Sequence, residues 1–245
     1  MTVKNYLVCA VRPIHNGWHI EKNQDLFRAY ERMYRMRTAS FKKFVQEPFE
    51  EILWTEPVDD NDLYTEANWN AIKELWHSKP CNVFWAGADT LMIRPTSLFG
   101  NRFQEFRMFN YTEPTKHREF EHHYNNDVMY FPHTMSEDIW QLGQRYWDEQ
   151  RETHPDRHWG FDQLRNNAMF WAQDIPTEDR YHPNMNYMCH NLRADDAAQL
   201  EYTRQWNGGL DIKNCNIIHF CASRGSELVV EIMKIICRDL KIDYE

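Results

Sequence analysis

The chain has 245 residues and a formal net charge of −9, with 28 Lys and Arg against 37 Asp and Glu. That balance excludes nucleic acid and anionic membrane surfaces as general partners, because both reward a basic face, and no stretch approaches the length of an integral membrane segment. An aromatic content of 15% with 10 Trp points to an aromatic core or groove under a polar exterior, and without repeats, low-complexity tracts or Gly/Ser/Pro linkers a single domain over 1–245 is expected.

In chain order, 6–11 has strand character and is followed by Arg12, Pro13 and a His15-Asn16-Gly17 turn. Residues 25–37 place Leu26, Ala29, Tyr30, Met33 and Tyr34 at helical spacing, and 51–55 suits a second strand. A helix over 65–77 carries Ala67, Trp69, Ala71, Ile72, Leu75 and Trp76 in amphipathic order, with Thr65 as its cap. The apolar strand 83–86 then runs into Gly87-Ala88-Asp89, and Pro95 opens a short helical turn through Leu98-Phe99. This β, α, β, α, β order predicts a doubly wound sheet. Beyond it, 105–111 and 128–131 are expected strands, and 138–152 and 161–171 are expected helices. Residues 174–209 are rich in Pro, Asn, Asp and His and are expected to be irregular, with 181–206 as a lid. Strand 216–221 and an amphipathic helix over 225–240, bearing Leu228, Val229, Ile232, Ile235 and Ile236, close the chain. The six cysteines show no CxxC spacing and the N-terminal apolar run is too short for a signal peptide, so reduced, mostly buried thiols and a cytoplasmic location are expected.

Four places carry candidate chemistry. Asp89 leaves the carboxyl end of a buried strand, where ligands of open α/β sheets bind; a carboxylate there suits a divalent cation that neutralises phosphate, and equally suits a turn start. The cluster Asn125-Asn126-Asp127 feeds the strand at 128, which is also what an Asn-rich turn looks like. Asp162 and Gln163 open a helix, where an acidic residue complements the helix dipole whatever else it does. His219 ends a buried strand, with Arg224 ahead of the last helix; the imidazole can reach a metal while Arg224 and free amides hold phosphate, or it can be a core-edge histidine bonded to a carbonyl.

In this order the four resemble the GT-A-fold glycosyltransferases, in particular the glycogenin-like retaining family that uses nucleotide sugars. The family's Asp-x-Asp strand end, with its apolar pair, Pro and Leu-Phe turn, is similar to Ala88-Asp89-Thr90-Leu91, Pro95 and Leu98-Phe99. Its Asn-x-Gly-Val strand resembles Asn125-Asn126-Asp127-Val128-Met129, its Asp-Gln pair resembles Asp162-Gln163, and its late His-Phe with a basic residue resembles His219-Phe220 and Arg224. Two departures bear on the site. Gly87 stands where the family has the first Asp of Asp-x-Asp, and Asp127 stands where it has Gly; Arg224 also lies one residue nearer the His than the family's Lys.

The resemblance implies a mixed α/β, Rossmann-like GT-A fold with a mostly parallel central sheet flanked by helices, 1–100 forming the nucleotide half and 101–245 the sugar and acceptor half. It implies that Asp89 and His219 bind Mn²⁺ or Mg²⁺ and that Arg224 helps hold the diphosphate of a UDP-sugar. Cys9, Ala10, Val11, Arg12 and Ala88 would line the nucleotide. Arg37, Ser40 and Lys43, placed after the first helix, would approach the nucleotide or diphosphate, or face solvent. Asn125, Asp127, Asp162 and Gln163 would face the donor sugar and acceptor. The implied activity is transfer of a hexose, glucose or galactose, to a glycan, lipid or protein hydroxyl with retention. A binding protein that has lost transfer, and a metal-dependent phosphoester hydrolase using Asp89 and Asp162, are the competing classes.

Overall fold

A computed structural model describes residues 2–14, 20–59, 61–100, 103–112, 123–153, 161–189, 204–205, 207–220 and 226–244. The first half runs β1 (Lys4–Ala10), α1 (Ile20–Phe44), β2 (Glu50–Trp54), α2 (Asn61–Ser78) and β3 (Cys81–Ala86), in the expected alternation. The short strands β4 (Thr90–Met92), β5 (Arg107–Met108), β6 (Tyr111–Thr112), β7 (His123–Tyr124) and β8 (Val128–Phe131) follow. Helices α3 (Glu137–Thr153) and α4 (Phe161–Trp171), strands β9 (Tyr187–Met188) and β10 (Ile217–His219), and α5 (Ser226–Asp239) complete the described elements.

The central sheet has the order β2-β1-β3-β8-β5. Strand β1 is parallel to both neighbours, with Val8 opposite Ile52 and Trp85, while β8 is antiparallel to β3 and β5. Four strands therefore point one way and β8 runs against them. Every residue of β3 is buried, as the apolar run 83–86 requires of a strand covered on both faces. A second sheet, β4-β10-β9, lies beyond the end of β3, and β6 and β7 form a hairpin.

One face of the central sheet is covered by an aromatic cluster. Trp140 of α3 is fully buried, stacked on Phe131 at 5.3 Å between centroids and packed on Trp69 of α2 at 4.7 Å. Gly143 sits close against α4 and α2, where a Cβ would lie 2.6 Å from Met169 Sδ and 3.2 Å from the Trp69 ring. On the other side, Ala29, Met33 and Met36 of α1 share a buried cluster with Val229, Val230, Met233 and Cys237 of α5.

Local expectations fail where long-range contacts decide. Helix α2 starts at Asn61, so Thr65 lies inside it rather than capping it. No helical turn follows Pro95; Thr96 instead bridges to Val45, and Glu47 accepts from the Leu98 amide at 3.0 Å. The expected strand over 105–111 is split, because β5 joins the central sheet and β6 turns away to pair with β7. Helix α1 extends to Phe44, so Arg37, Ser40 and Lys43 belong to it and do not follow it. In α5 the buried stripe is Val229, Val230, Met233 and Cys237, and Leu228 and Ile235, seven residues apart, are exposed. Five cysteines, Cys9, Cys81, Cys189, Cys215 and Cys237, are free and buried; Cys221 lies outside the described residues.

Candidate functional site

Three chain segments meet where β3 leaves the central sheet. Residues 87–89 carry the chain from β3 to β4, and β10 pairs antiparallel with β4 so that His219 stands opposite Thr90. Strand β8 pairs antiparallel with β3, Val128 opposite Ala86, which brings Asp127 beside Gly87. The backbone closes around these residues. The Gly87 amide donates to the Asp127 carbonyl at 2.9 Å, the Phe220 amide to the Asp89 carbonyl at 2.9 Å, and the Thr90 hydroxyl to the Gly87 carbonyl at 2.7 Å.

The side chains of Asp89, His219 and Asp127 are thereby gathered. His219 Nε2 lies 3.7 Å from Asp89 Oδ2 and 3.4 Å from Asp127 Oδ2. Asp89 and His219 are buried, whereas the Asp127 side chain is 45% exposed. These separations exceed those of a well-formed charge-assisted hydrogen bond; the carboxylate oxygens are hard donors of the kind Mn²⁺ and Mg²⁺ take, whereas the imidazole nitrogen is a donor more typical of later transition metals. The two residues named as ligands from the sequence are brought side by side. Among the described residues, no group of three or more His, Cys, Asp or Glu side chains is arranged to hold a metal ion.

Asparagines fix the approach to β8. Asn125 Nδ2 donates to Asp127 Oδ2 at 3.1 Å, and Asn125 Oδ1 accepts from the Asp127 amide at 3.0 Å and from Asn186 Nδ2 at 3.3 Å. Asn186 is fully buried, and its Oδ1 has no hydrogen-bond partner among the described residues. From α4, Gln163 Nε2 and Asn167 Nδ2 both donate to the Tyr124 carbonyl, at 3.1 and 2.8 Å. Gln163 is therefore anchored to the residue before Asn125. Asp162 opens α4, but its side chain lies outside the described residues, as do Arg224, His190 and most of 181–206. Within that segment, 187–188 form β9, parallel to β10.

On the other side of residue 89, Cys9, Val11 and Ala88 form one buried apolar cluster against Phe27, Tyr30, Tyr34 and Leu53. Burial pushes the Cys9 thiol up to about 11, so this wall is uncharged at neutral pH. The Ala10 carbonyl accepts from the Tyr64 hydroxyl at 3.3 Å. Burial pushes that phenol up, so it stays a neutral donor. Arg12 Nε donates to Asn68 Oδ1 at 2.9 Å and its Nη1 pairs with Glu56 at 2.9 Å, leaving only 7% of the side chain exposed. Tyr64 and Asn68 were not singled out in the sequence; their i, i+4 spacing on α2 is the signal that places them on one face.

Arg37 and Lys43 stand apart from this group. Arg37 is fully buried, with Nη2 donating to the Val8 carbonyl at 3.0 Å and Nη1 3.4 Å from Glu51 Oε1. The Ser40 hydroxyl accepts from the Met92 amide at 3.1 Å, tying α1 to β4, and Lys43 Nζ donates to the Lys241 carbonyl at 2.7 Å. Their polar groups serve packing. Arg37→Ala should lower stability by about 3 kcal/mol in urea unfolding, because it removes a fully buried guanidinium with its bonds to the Val8 carbonyl and Glu51, leaving Glu51 to Thr38 and Lys42. Loss of UDP binding at unchanged stability would instead return Arg37 to the ligand site.

No protein-family model matches the chain, and no curated protein matches it in sequence. Its fold is shared with solved structures. An active-site mutant of LgtC is 11% identical over 94% of this chain and 95% of that one, with a TM-score of 0.53. The galactosyltransferase LgtC in complex with donor and acceptor sugar analogs gives 11% identity, the same coverage and a TM-score of 0.52. The fold is thus the GT-A type, mixed α/β with a mostly parallel central sheet between helices. Among the described residues, no helix is long and apolar enough to cross a membrane.

Proposed function

We propose that this chain is a metal-dependent glycosyltransferase moving a hexose, glucose or galactose, from a UDP-sugar to a glycan, lipid or protein hydroxyl with retention, in the cytoplasm. The observation that carries the proposal is the placement of buried Asp89 and His219 together at the carboxyl end of β3, beside the apolar Cys9, Val11 and Ala88 wall. The fold supports it, because open α/β sheets take ligands at this edge.

In this reading the nucleotide base lies against Cys9, Ala10, Val11 and Ala88, with Arg12 and Tyr64 at the same edge. Asp89 and His219 hold Mn²⁺ or Mg²⁺, which when bound supplies positive charge for the leaving diphosphate. Arg224, assigned from the sequence alone, adds a guanidinium to that charge. Asn125, Gln163 and Asp162 orient the donor sugar and the incoming hydroxyl. The network through Tyr124, Asn167 and Asn186 holds Asn125 and Gln163 in place before substrate arrives, so orientation costs little at the moment of reaction.

Calorimetric titration with UDP and a panel of UDP-sugars, in Mn²⁺ and then in EDTA, tests this directly. UDP binding that requires the metal is the expected result, and the preferred sugar should be transferred to an acceptor or slowly hydrolysed. Absence of nucleotide binding under every condition would overturn the proposal. Gly87 favours one second reading, a nucleotide-sugar-binding protein without transfer, which predicts tight UDP binding with no turnover of any donor.

A further inference from the structure

We infer that the outward face of α5 is the contact through which two copies of this chain associate, with their α5 helices packed antiparallel across a twofold axis.

Helix α5 carries more apolar surface than the core uses. Val229, Val230, Met233 and Cys237 are buried in the cluster shared with α1. Leu228 and Ile235 are 45% and 48% exposed, and the partly buried Ile232 falls between them. Spacings of four and three residues put these three on one stripe, whose mean direction lies roughly 150° around the helix from that of the buried four.

The charges beside the stripe indicate what covers it. Glu227, Glu231, Lys234 and Arg238 follow one another at intervals of four, three and four residues, so all four line one flank, acidic toward the helix start and basic toward its end. A flank of this kind complements itself in one arrangement. A twofold axis passing near Ile232, perpendicular to two antiparallel helices, keeps charged flank against charged flank and reverses its direction. Leu228 then meets the partner's Ile235, and Ile232 meets its own counterpart. Glu227 meets the partner's Arg238, and Glu231 meets the partner's Lys234. Asp239, in line with the stripe, comes to the N-terminal end of the partner's helix, where the helix dipole favours an acid. Parallel helices would instead set each charge against its like.

Within one copy these charges make exposed ion pairs: Glu227 with Arg32 of α1, Glu231 with Lys234 at 2.7 Å, and Arg238 with Asp239 at 3.3 Å. Exposed pairs contribute little, so exchanging them across the twofold costs little. The contact is isologous, the same patch serving both copies. Three apolar side chains per copy are few beside the ~800 Å² per partner of a standard interface, which puts this dimer in the weak class.

Sedimentation equilibrium of the full chain over roughly 1 μM to 1 mM tests the inference on wild type, Ile235→Glu, Glu231→Lys and the double reversal Glu231→Lys/Lys234→Glu. Calorimetric unfolding of each checks the fold. Wild type should pass from monomer to dimer across the series. Ile235→Glu should stay monomeric throughout with its unfolding temperature unmoved, because the side chain is exposed in one copy. Glu231→Lys should weaken the dimer by at least ~10-fold, since the twofold repeats the like-charged contact. The double reversal should restore it, which a merely weakened helix would not do. Wild type that is monomeric at every concentration would overturn the inference, as would a dimer that Ile235→Glu leaves intact. A dimer lost in Ile235→Glu but indifferent to both charge variants would overturn the antiparallel twofold. Monomeric wild type that floats with phosphatidylserine vesicles, and loses this in Ile235→Glu, would overturn it in favour of a lipid surface.

Discussion

Asp89→Ala is expected to abolish metal-dependent UDP binding, weakening it by at least ~100-fold, or about 2.8 kcal/mol. Asp89 is 6% exposed and leaves the end of β3, held by backbone contacts from Phe220. The folded state should survive, because the loss removes one of two carboxylates facing a single imidazole and breaks no apolar packing. Calorimetry with UDP in Mn²⁺ reads the effect, and far-UV circular dichroism checks the fold. A variant that binds UDP as wild type does in Mn²⁺, and loses it in EDTA, would move the cation away from Asp89.

Trp140→Ala should destabilise the protein by about 4 kcal/mol, the cost of leaving a cavity where a large core aromatic stood. For a chain of this size that lowers the unfolding temperature by roughly 10 °C. Trp140 is the largest fully buried side chain, stacked on Phe131 with ring planes 6° apart and packed on Trp69 and Trp76. Those contacts join α3, α2 and β8, so the loss falls on the layer that covers the sheet. Differential scanning calorimetry measures it. A shift under about 2 °C would mean that the cluster repacks around the void.

The elements that the sequence made legible are those whose signal is local. The run at 81–86 is apolar at nearly every residue and is buried throughout, and 128–131 and 161–171 begin and end where their patterns do. Asp89 and His219 were legible for a related reason, as polar residues closing apolar strands. What local pattern does not encode is pairing. That Asp127 lies 3.4 Å from His219 depends on the register of β8 against β3 and of β10 against β4, across 92 residues of chain. Arg37 is the converse case, a cation in a helix that looks solvent-ready until the Val8 carbonyl and Glu51 claim it. Tyr64 joined the site because α2 starts a turn earlier than Thr65 marks it.

The lone reversed strand of the central sheet also bears on how such a site can change over time. Where all strands run the same way, one edge receives only residues that follow strands, and a ligand lost there has to be regained on the same connection. Because β8 enters at the edge where β3 departs, a lead-in residue and a run-out residue stand side by side, separated by about one interstrand spacing of ~4.8 Å. A polar side chain at this edge can then be supplied from either connection, with neither strand core disturbed.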